Sequence, residues 1–119
     1  MAKSTAIKLS EEQKELLSQR VETFNKTNKT NYQVSFKGKF CYISRVDKKQ
    51  LFWGLFGGGS SEETHIGRLA YSDNIESMEF AVYKYSRESY DANEFFFPGA
   101  GKLDGTIEGA LRAGFEIYP

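Results

Sequence analysis

Two residues in this chain could form a nucleophile and its base: Cys41 and His65, each the sole residue of its type. A thiol beside an imidazole can become a thiolate, but only if the fold brings the two together. Both fall in segments that read as strands. Within an alternating strand, Cys41 reads as a packed core thiol. His65, flanking a glycine-serine stretch, reads as a polar residue at a strand end. Metal centres need His, Cys or carboxylates clustered at ligand spacing. No such cluster stands in the sequence, so no metal and no cofactor are expected. The acids Glu62-Glu63 and Asp104 with Glu108 are paired. At i, i+4 the second pair shares a helix face, where two acids can raise a pKa. The plainer reading is a helix cap followed by a solvated glutamate.

Gly99-Ala100-Gly101-Lys102 suggests a phosphate loop, whose mechanism requires G-x-x-x-x-G-K-[ST]. Phe96 stands at the first glycine position and Leu103 at the hydroxyl position, so a turn between strand and helix is the better reading. Gly57-Gly58-Gly59-Ser60-Ser61 could cradle an anion with backbone N–H groups. Without a strand-to-helix context and a lysine it reads as a flexible tether.

Two stretches carry recognition chemistry instead. Lys37, Lys39, Arg45, Lys48 and Lys49 surround Phe40 and Tyr42. Cations beside exposed aromatics are what single-stranded nucleic acid binding uses. The competing reading is a hairpin with its aromatics turned inward and its lysines solvated. In the stretch LFWGLFGGGSSEE, Leu51, Phe52, Trp53 and Phe56 stand next to three glycines. Exposed, they would contact a protein partner, a membrane surface or a second copy of the chain. Alternatively they extend the flanking strands or cover an open edge of the core.

These candidates sit in a chain of 119 residues, the size of one domain, read here as residues 1–119. Residues 1–50 hold eleven Lys/Arg and five Asp/Glu, and residues 51–119 hold five and eleven, so the formal net charge is zero. A uniformly basic nucleic-acid binder is thereby disfavoured, though a local basic face remains open. One cysteine allows no disulfide framework. The start, MAKSTAIKLS, has no apolar leader core, and no apolar run approaches a membrane span. A cytoplasmic protein with no membrane span is expected.

The elements that must position these residues follow from periodicity. Ser10 with Gln13 forms a capping-box pattern. Leu17, Val21 and Phe24, with Leu16 widening the stripe, predict an amphipathic helix ending near Asn25–Asn28. Tyr32, Val34 and Phe36 alternate in a strand. Gly38-Lys39 turns the chain into a second strand, Phe40–Val46, with Phe40, Tyr42 and Val46 on one face and Cys41, Ile43 and Arg45 on the other. Thr64–Tyr71 and Met78–Tyr85 are the next strands, followed by a loop SRESYDAN and a short strand Glu94–Phe97 ended by Pro98. Ile107, Ala110, Leu111, Gly114 and Tyr118 then mark a terminal helix capped by Asp104 or Thr106. Its small residues allow close approach to a sheet. The expected fold class is α+β: an antiparallel sheet of four to five strands with both terminal helices on one face.

The region from Phe80 to Pro119 also carries a set of short motifs. They are Lys84-Tyr85-Ser86 at a strand end, Tyr90-Asp91 in a loop, Phe96-Phe97-Pro98-Gly99 at a corner, and Asp104-Gly105-Thr106 with Glu108-Gly109-Ala110 opening the helix. As a set these resemble a small uncharacterised bacterial domain family, over about a third of the chain. The resemblance implies a bacterial single-domain protein and carries no reaction, cofactor or catalytic residue. In layout the chain is also similar to double-stranded-RNA-binding domains, which place lysines at the start of the last helix. Here that position is acidic, which would repel phosphate.

Three functions follow as expectations. The first is a non-catalytic protein-interaction module using Leu51, Phe52, Trp53 and Phe56, with homodimerisation through this loop or a sheet edge as a variant. The second is a single-stranded nucleic-acid-binding domain using the hairpin 36–49. The third is a small-molecule-binding protein or enzyme with a pocket between the sheet and the terminal helix, near His65 or Asp104.

Overall fold

A computed structural model describes residues 8–48, 61–94 and 96–119. The first helix, α1 (Glu11–Asn28), begins at Ser10. The Ser10 Oγ accepts from the Gln13 N–H (3.1 Å), and the Gln13 side chain accepts from the Ser10 N–H (2.8 Å). This reciprocal pair satisfies donors that a bare helix start leaves open. Lys29 stops the helix in the left-handed region (φ 55°). Leu17, Val21 and Phe24 are buried as their spacing requires, whereas Leu16 lies largely in water.

Five strands follow: β1 (Tyr32–Lys37), β2 (Phe40–Lys48), β3 (Ser61–Ala70), β4 (Glu79–Lys84) and β5 (Ser89–Asp91). They form one antiparallel sheet in sequence order. A 3-10 turn at Ala100–Lys102 leads to α2 (Ile107–Ile117). The fold is the expected α+β arrangement, and both helices cover the same sheet face. Tyr32 of β1 shows this directly, its ring meeting Phe24 of α1 (6.1 Å) and Phe115 of α2 (5.5 Å). Between sheet and helices, Cys41, Ile43, Ile66 and Leu69 pack with Leu17, Ile107, Ala110 and Leu111 in one buried core. Leu9, just before α1, joins this core, and its N–H donates to the Gly38 C=O (3.0 Å).

Two expectations are corrected. The last strand is Ser89–Asp91, inside the segment expected to be a loop, and Glu94, Phe96 and Phe97 are not in a strand. Glu88 in the left-handed region (φ 48°) turns the chain early enough for Tyr83 to pair with Tyr90. An Asx turn then ends β5, the Asn93 N–H donating to the Asp91 Oδ1 (2.9 Å). Phe96 is left 93% exposed, while Phe97 packs on Phe80.

The second correction concerns the β1–β2 hairpin. The residues of β2 that face the helices are Cys41 and Ile43, both fully buried. Phe40 and Tyr42, expected inside, lie on the opposite face. Alternation assigns residues to two faces without saying which face meets the helices.

β2 and β3 are out of simple register between Ile43 and Ser44, where Gly67 opposes Ile43 but His65 opposes Ser44. Ile66 is the extra residue and points into the core. Such a bulge increases local twist and bend. Gly67 beside it has no room for a side chain, because a Cβ there would lie 2.4 Å from the Phe80 ring.

Candidate functional site

The sheet face that no described helix covers is where the chemistry collects. On β2 it carries Phe40, Tyr42 and Ser44; on β3, Glu63, His65 and Arg68; on β4, Glu79, Ala81 and Tyr83; on β5, Tyr90. These positions follow from the register, in which Tyr42 opposes Arg68, Arg68 opposes Ala81, and Tyr83 opposes Tyr90.

The rings form a connected row. Phe40 meets Tyr42 (6.0 Å between centroids), Tyr42 meets Tyr90 (5.3 Å), and Tyr90 meets Tyr83 (4.9 Å). The row continues from Tyr83 to His65 (5.0 Å) and Tyr85 (4.8 Å), and from Tyr85 to Tyr118 (5.4 Å). Most of these contacts are edge-to-face, the arrangement the ring quadrupoles prefer. Tyr42 and Tyr90 stand on strands three spacings apart, about 14 Å in a flat sheet. Their side chains lean toward each other to make this contact. Ala81 and Ser44 are buried on a face that no described helix covers.

Arg68 is the charged centre of this face. Its guanidinium carbon lies 4.2 Å from the Phe40 ring centroid and 5.3 Å from that of Tyr90. Among the described residues Arg68 makes no ion pair and no side-chain hydrogen bond. Desolvation, with smaller contributions from Tyr42 and Tyr83, pushes the Tyr90 phenol above its ordinary pKa, so it stays neutral. Glu63 accepts from the Ser44 hydroxyl (2.7 Å) and the Gln33 amide (2.8 Å). The first of these does most to hold its carboxyl below the usual range.

The hairpin cations do not form one patch. Lys37 and Lys39 are exposed at the turn, the Lys39 ammonium lying 5.4 Å from the Phe40 ring. Arg45 belongs to the helix-covered face, where its guanidinium donates to the Tyr118 C=O (2.5 Å) and fixes the end of α2. Lys48 ends β2, about 27 Å of strand away from Phe40. Lys49 lies outside the described residues, as do Leu51, Phe52, Trp53 and Phe56.

Cys41 and His65 stand on opposite faces of the sheet, so they cannot act as a pair. Burial pushes the Cys41 thiol up to about 12, far from thiolate at neutral pH. His65 sits within β3, away from the strand end where it was expected. Among the described residues no three His, Cys, Asp or Glu side chains come together as a metal site. No described helix is long and apolar enough to cross a membrane.

Asp104 and Glu108 also separate. Thr106 is the α2 cap, its hydroxyl accepting from the Gly109 N–H (3.1 Å), and Asp104 braces that cap by accepting from the Thr106 N–H (3.1 Å) and hydroxyl (2.5 Å). Glu108, expected to be solvated, is held by Arg20 of α1 (2.5 and 2.8 Å).

A cavity of about 590 Å³ lies beside the outer edge of β4, where β5 is too short to cover Glu79–Ala81. Its lining is mostly apolar and includes Phe40, Phe80, Phe97 and Leu103, with Arg68 among them. Asp104 lines it, as the pocket expectation required, whereas His65 does not.

No family, curated protein or solved structure matches this chain.

The residues that sequence reasoning missed are Arg68, Tyr83 and Tyr90. Each stands in an ordinary alternating segment. Only the strand register brings them to Phe40 and Tyr42, and it cannot be read from spacing.

Proposed function

We propose that the protein is a non-catalytic interaction module that holds a protein partner against the tyrosine-rich face of its sheet. The observation that carries this reading is the row Phe40–Tyr42–Tyr90–Tyr83 with Arg68 laid against two of its rings. Tyrosine and arginine dominate protein-interface hot spots. A tyrosine ring offers apolar area and a hydroxyl while freezing few rotors. Here the rings already brace one another, so little further ordering is needed on binding.

A second reading, single-stranded nucleic acid, is favoured by one observation: the Lys39 ammonium and the Arg68 guanidinium both lie against Phe40. Base stacking needs free ring faces. Arg68 occupies one face of Phe40, and the edge-to-face contacts use others. Glu63 and Glu79 offset part of the positive charge on the same sheet face. The protein reading is therefore preferred.

The test is affinity capture with crosslinking, comparing the natural sequence with Tyr42→Ser/Tyr90→Ser, with Leu16→Ser on α1 as control, and with Trp53→Ala/Phe56→Ala. A partner retained by the control and lost by the tyrosine pair is expected. Retention by the tyrosine pair overturns the reading, and loss with Trp53→Ala/Phe56→Ala alone moves the site to residues 51–56. Oligonucleotide binding that weakens steeply with salt and with Lys39→Ala would establish the second reading instead.

A further inference from the structure

We propose that the cavity beside β4 binds a small monocarboxylate with an apolar body. This does not rest on the protein-partner reading. It rests on three features. The cavity, at about 590 Å³, is within the size range of ligand sites, and its walls are mostly apolar. Arg68 lines it, half-buried, with its guanidinium stacked against Phe40 and Tyr90. No described carboxylate neutralises it.

A guanidinium on rings is held in plane without using its N–H donors. Those donors form a fork that matches a carboxylate bidentately. Stacking therefore leaves Arg68 fixed in position and free to donate. Lys39 also lines the cavity and adds a second cation. Phe80 and Phe97, 6.0 Å apart between centroids, and Leu103 line it too and offer apolar surface for a hydrocarbon chain or a ring.

The acids lining the cavity set the charge of the ligand. Glu94 is paired with Lys84 (2.8 Å), and Asp104 with Thr106 and, at 3.6 Å, Arg112. Glu79 has no ion pair among the described residues. Its unneutralised charge disfavours a second carboxylate on the ligand, so one anionic group is preferred over two.

The probes are octanoate, 1-octanol and octanedioate, followed by calorimetry and by amide shifts in heteronuclear NMR spectra. Octanoate is expected to bind saturably, with shifts at Phe80, Ala81 and Leu103, and 1-octanol and octanedioate about tenfold or more weakly. Arg68→Gln should weaken octanoate by a similar factor and leave 1-octanol unchanged. Glu79→Gln should strengthen octanoate and narrow its advantage over octanedioate. Ala92→Trp, at an exposed position on the cavity rim, should block all three probes with the melting temperature unchanged. Absence of octanoate binding overturns the proposal. So does equal binding of octanoate and 1-octanol, or undiminished octanoate binding by folded Arg68→Gln or by Ala92→Trp. Binding of octanoate with no effect of Tyr42→Ser/Tyr90→Ser on partner capture would leave this site standing while the partner face fails.

Discussion

The Arg20 guanidinium and the Glu108 carboxylate join the two helices through hydrogen bonds of 2.8 Å from Nε and 2.5 Å from Nη2. Arg20 also holds Glu76 with both terminal nitrogens (2.7 and 2.9 Å), so one side chain ties α1, the loop before β4 and the first turn of α2. The Arg20 and Glu108 side chains are 21% and 30% exposed, so the pair is screened less than a surface ion pair. Glu108 also stands in the first turn of α2, where the helix dipole favours a negative charge. Arg20→Ala is expected to cost about 1.5–3 kcal/mol, because it strands a half-buried carboxylate. Glu76→Gln, where the carboxylate itself is 51% exposed, should cost under about 1 kcal/mol. Urea denaturation of the two variants checks the order. Equal losses would show that Glu108 contributes no more than the outer acid.

The same pair gives the protein an acid limb. The Arg20 hydrogen bond is the largest influence holding the Glu108 carboxyl below its ordinary value of 4.5. A carboxyl with a lowered folded pKa binds fewer protons folded than unfolded, so its contribution is present above the unfolded value and lost as pH falls through the folded one. The urea midpoint should therefore be flat near neutrality and fall as pH drops below 4.5. Asp104, lowered chiefly by the Thr106 hydroxyl, and Glu63, lowered chiefly by Ser44, act in the same direction. Glu108→Gln should lower the plateau and make the acid limb shallower. An unchanged slope would show that Glu108 does not titrate with folding.

Much of this fold was legible because its signals are local. The Ser10–Gln13 box, the Leu17–Val21–Phe24 stripe and the Ile107–Ala110–Leu111–Gly114 stripe each lie within a few helical turns. Strand positions were legible wherever apolar residues alternate, as in Tyr32–Lys37. The β5 strand was missed because Ser89-Tyr90-Asp91 is short and polar, and its pairing depends on the left-handed turn at Glu88. The aromatic face was missed for a different reason. Phe40 and Tyr42 were visible as a pair, but the side they take is set by Cys41 and Ile43 filling the helix-facing positions. Arg68 gains meaning only once β3 is registered against β2.

Gly67 tests the packing behind that register. A Cβ at this position would lie 2.4 Å from the Phe80 ring and 2.7 Å from the Ala81 carbonyl oxygen. The carbonyl belongs to β4 and cannot move without breaking the ladder. Gly67→Ala is therefore expected to destabilise by about 1–3 kcal/mol, the usual range for overpacking, despite the lower unfolded-state entropy of alanine. Thermal denaturation measures the loss. If Phe80→Leu partly restores stability in the Gly67→Ala background, the ring is the obstruction; if it does not, the carbonyl is.

Cys41 offers a probe that reports opening of the core. Its side chain is fully buried against the helices, and desolvation raises its pKa to about 12. The thiolate is the reactive form, so native Cys41 should resist a disulfide reagent at about pH 8, roughly half a unit below an ordinary thiol pKa. The unfolded chain should react at once. With opening and closing faster than labelling, the rate follows the equilibrium population of the open state. Arg20→Ala, by loosening the contact between α1 and α2, should therefore raise the labelling rate by about the factor by which it raises the unfolding equilibrium constant, tenfold for each 1.4 kcal/mol of stability lost. Rapid labelling of the natural sequence under native conditions would mean that the helices do not cover Cys41 in solution, and the fold as described would have to be revised at the interface of β2 with α1 and α2.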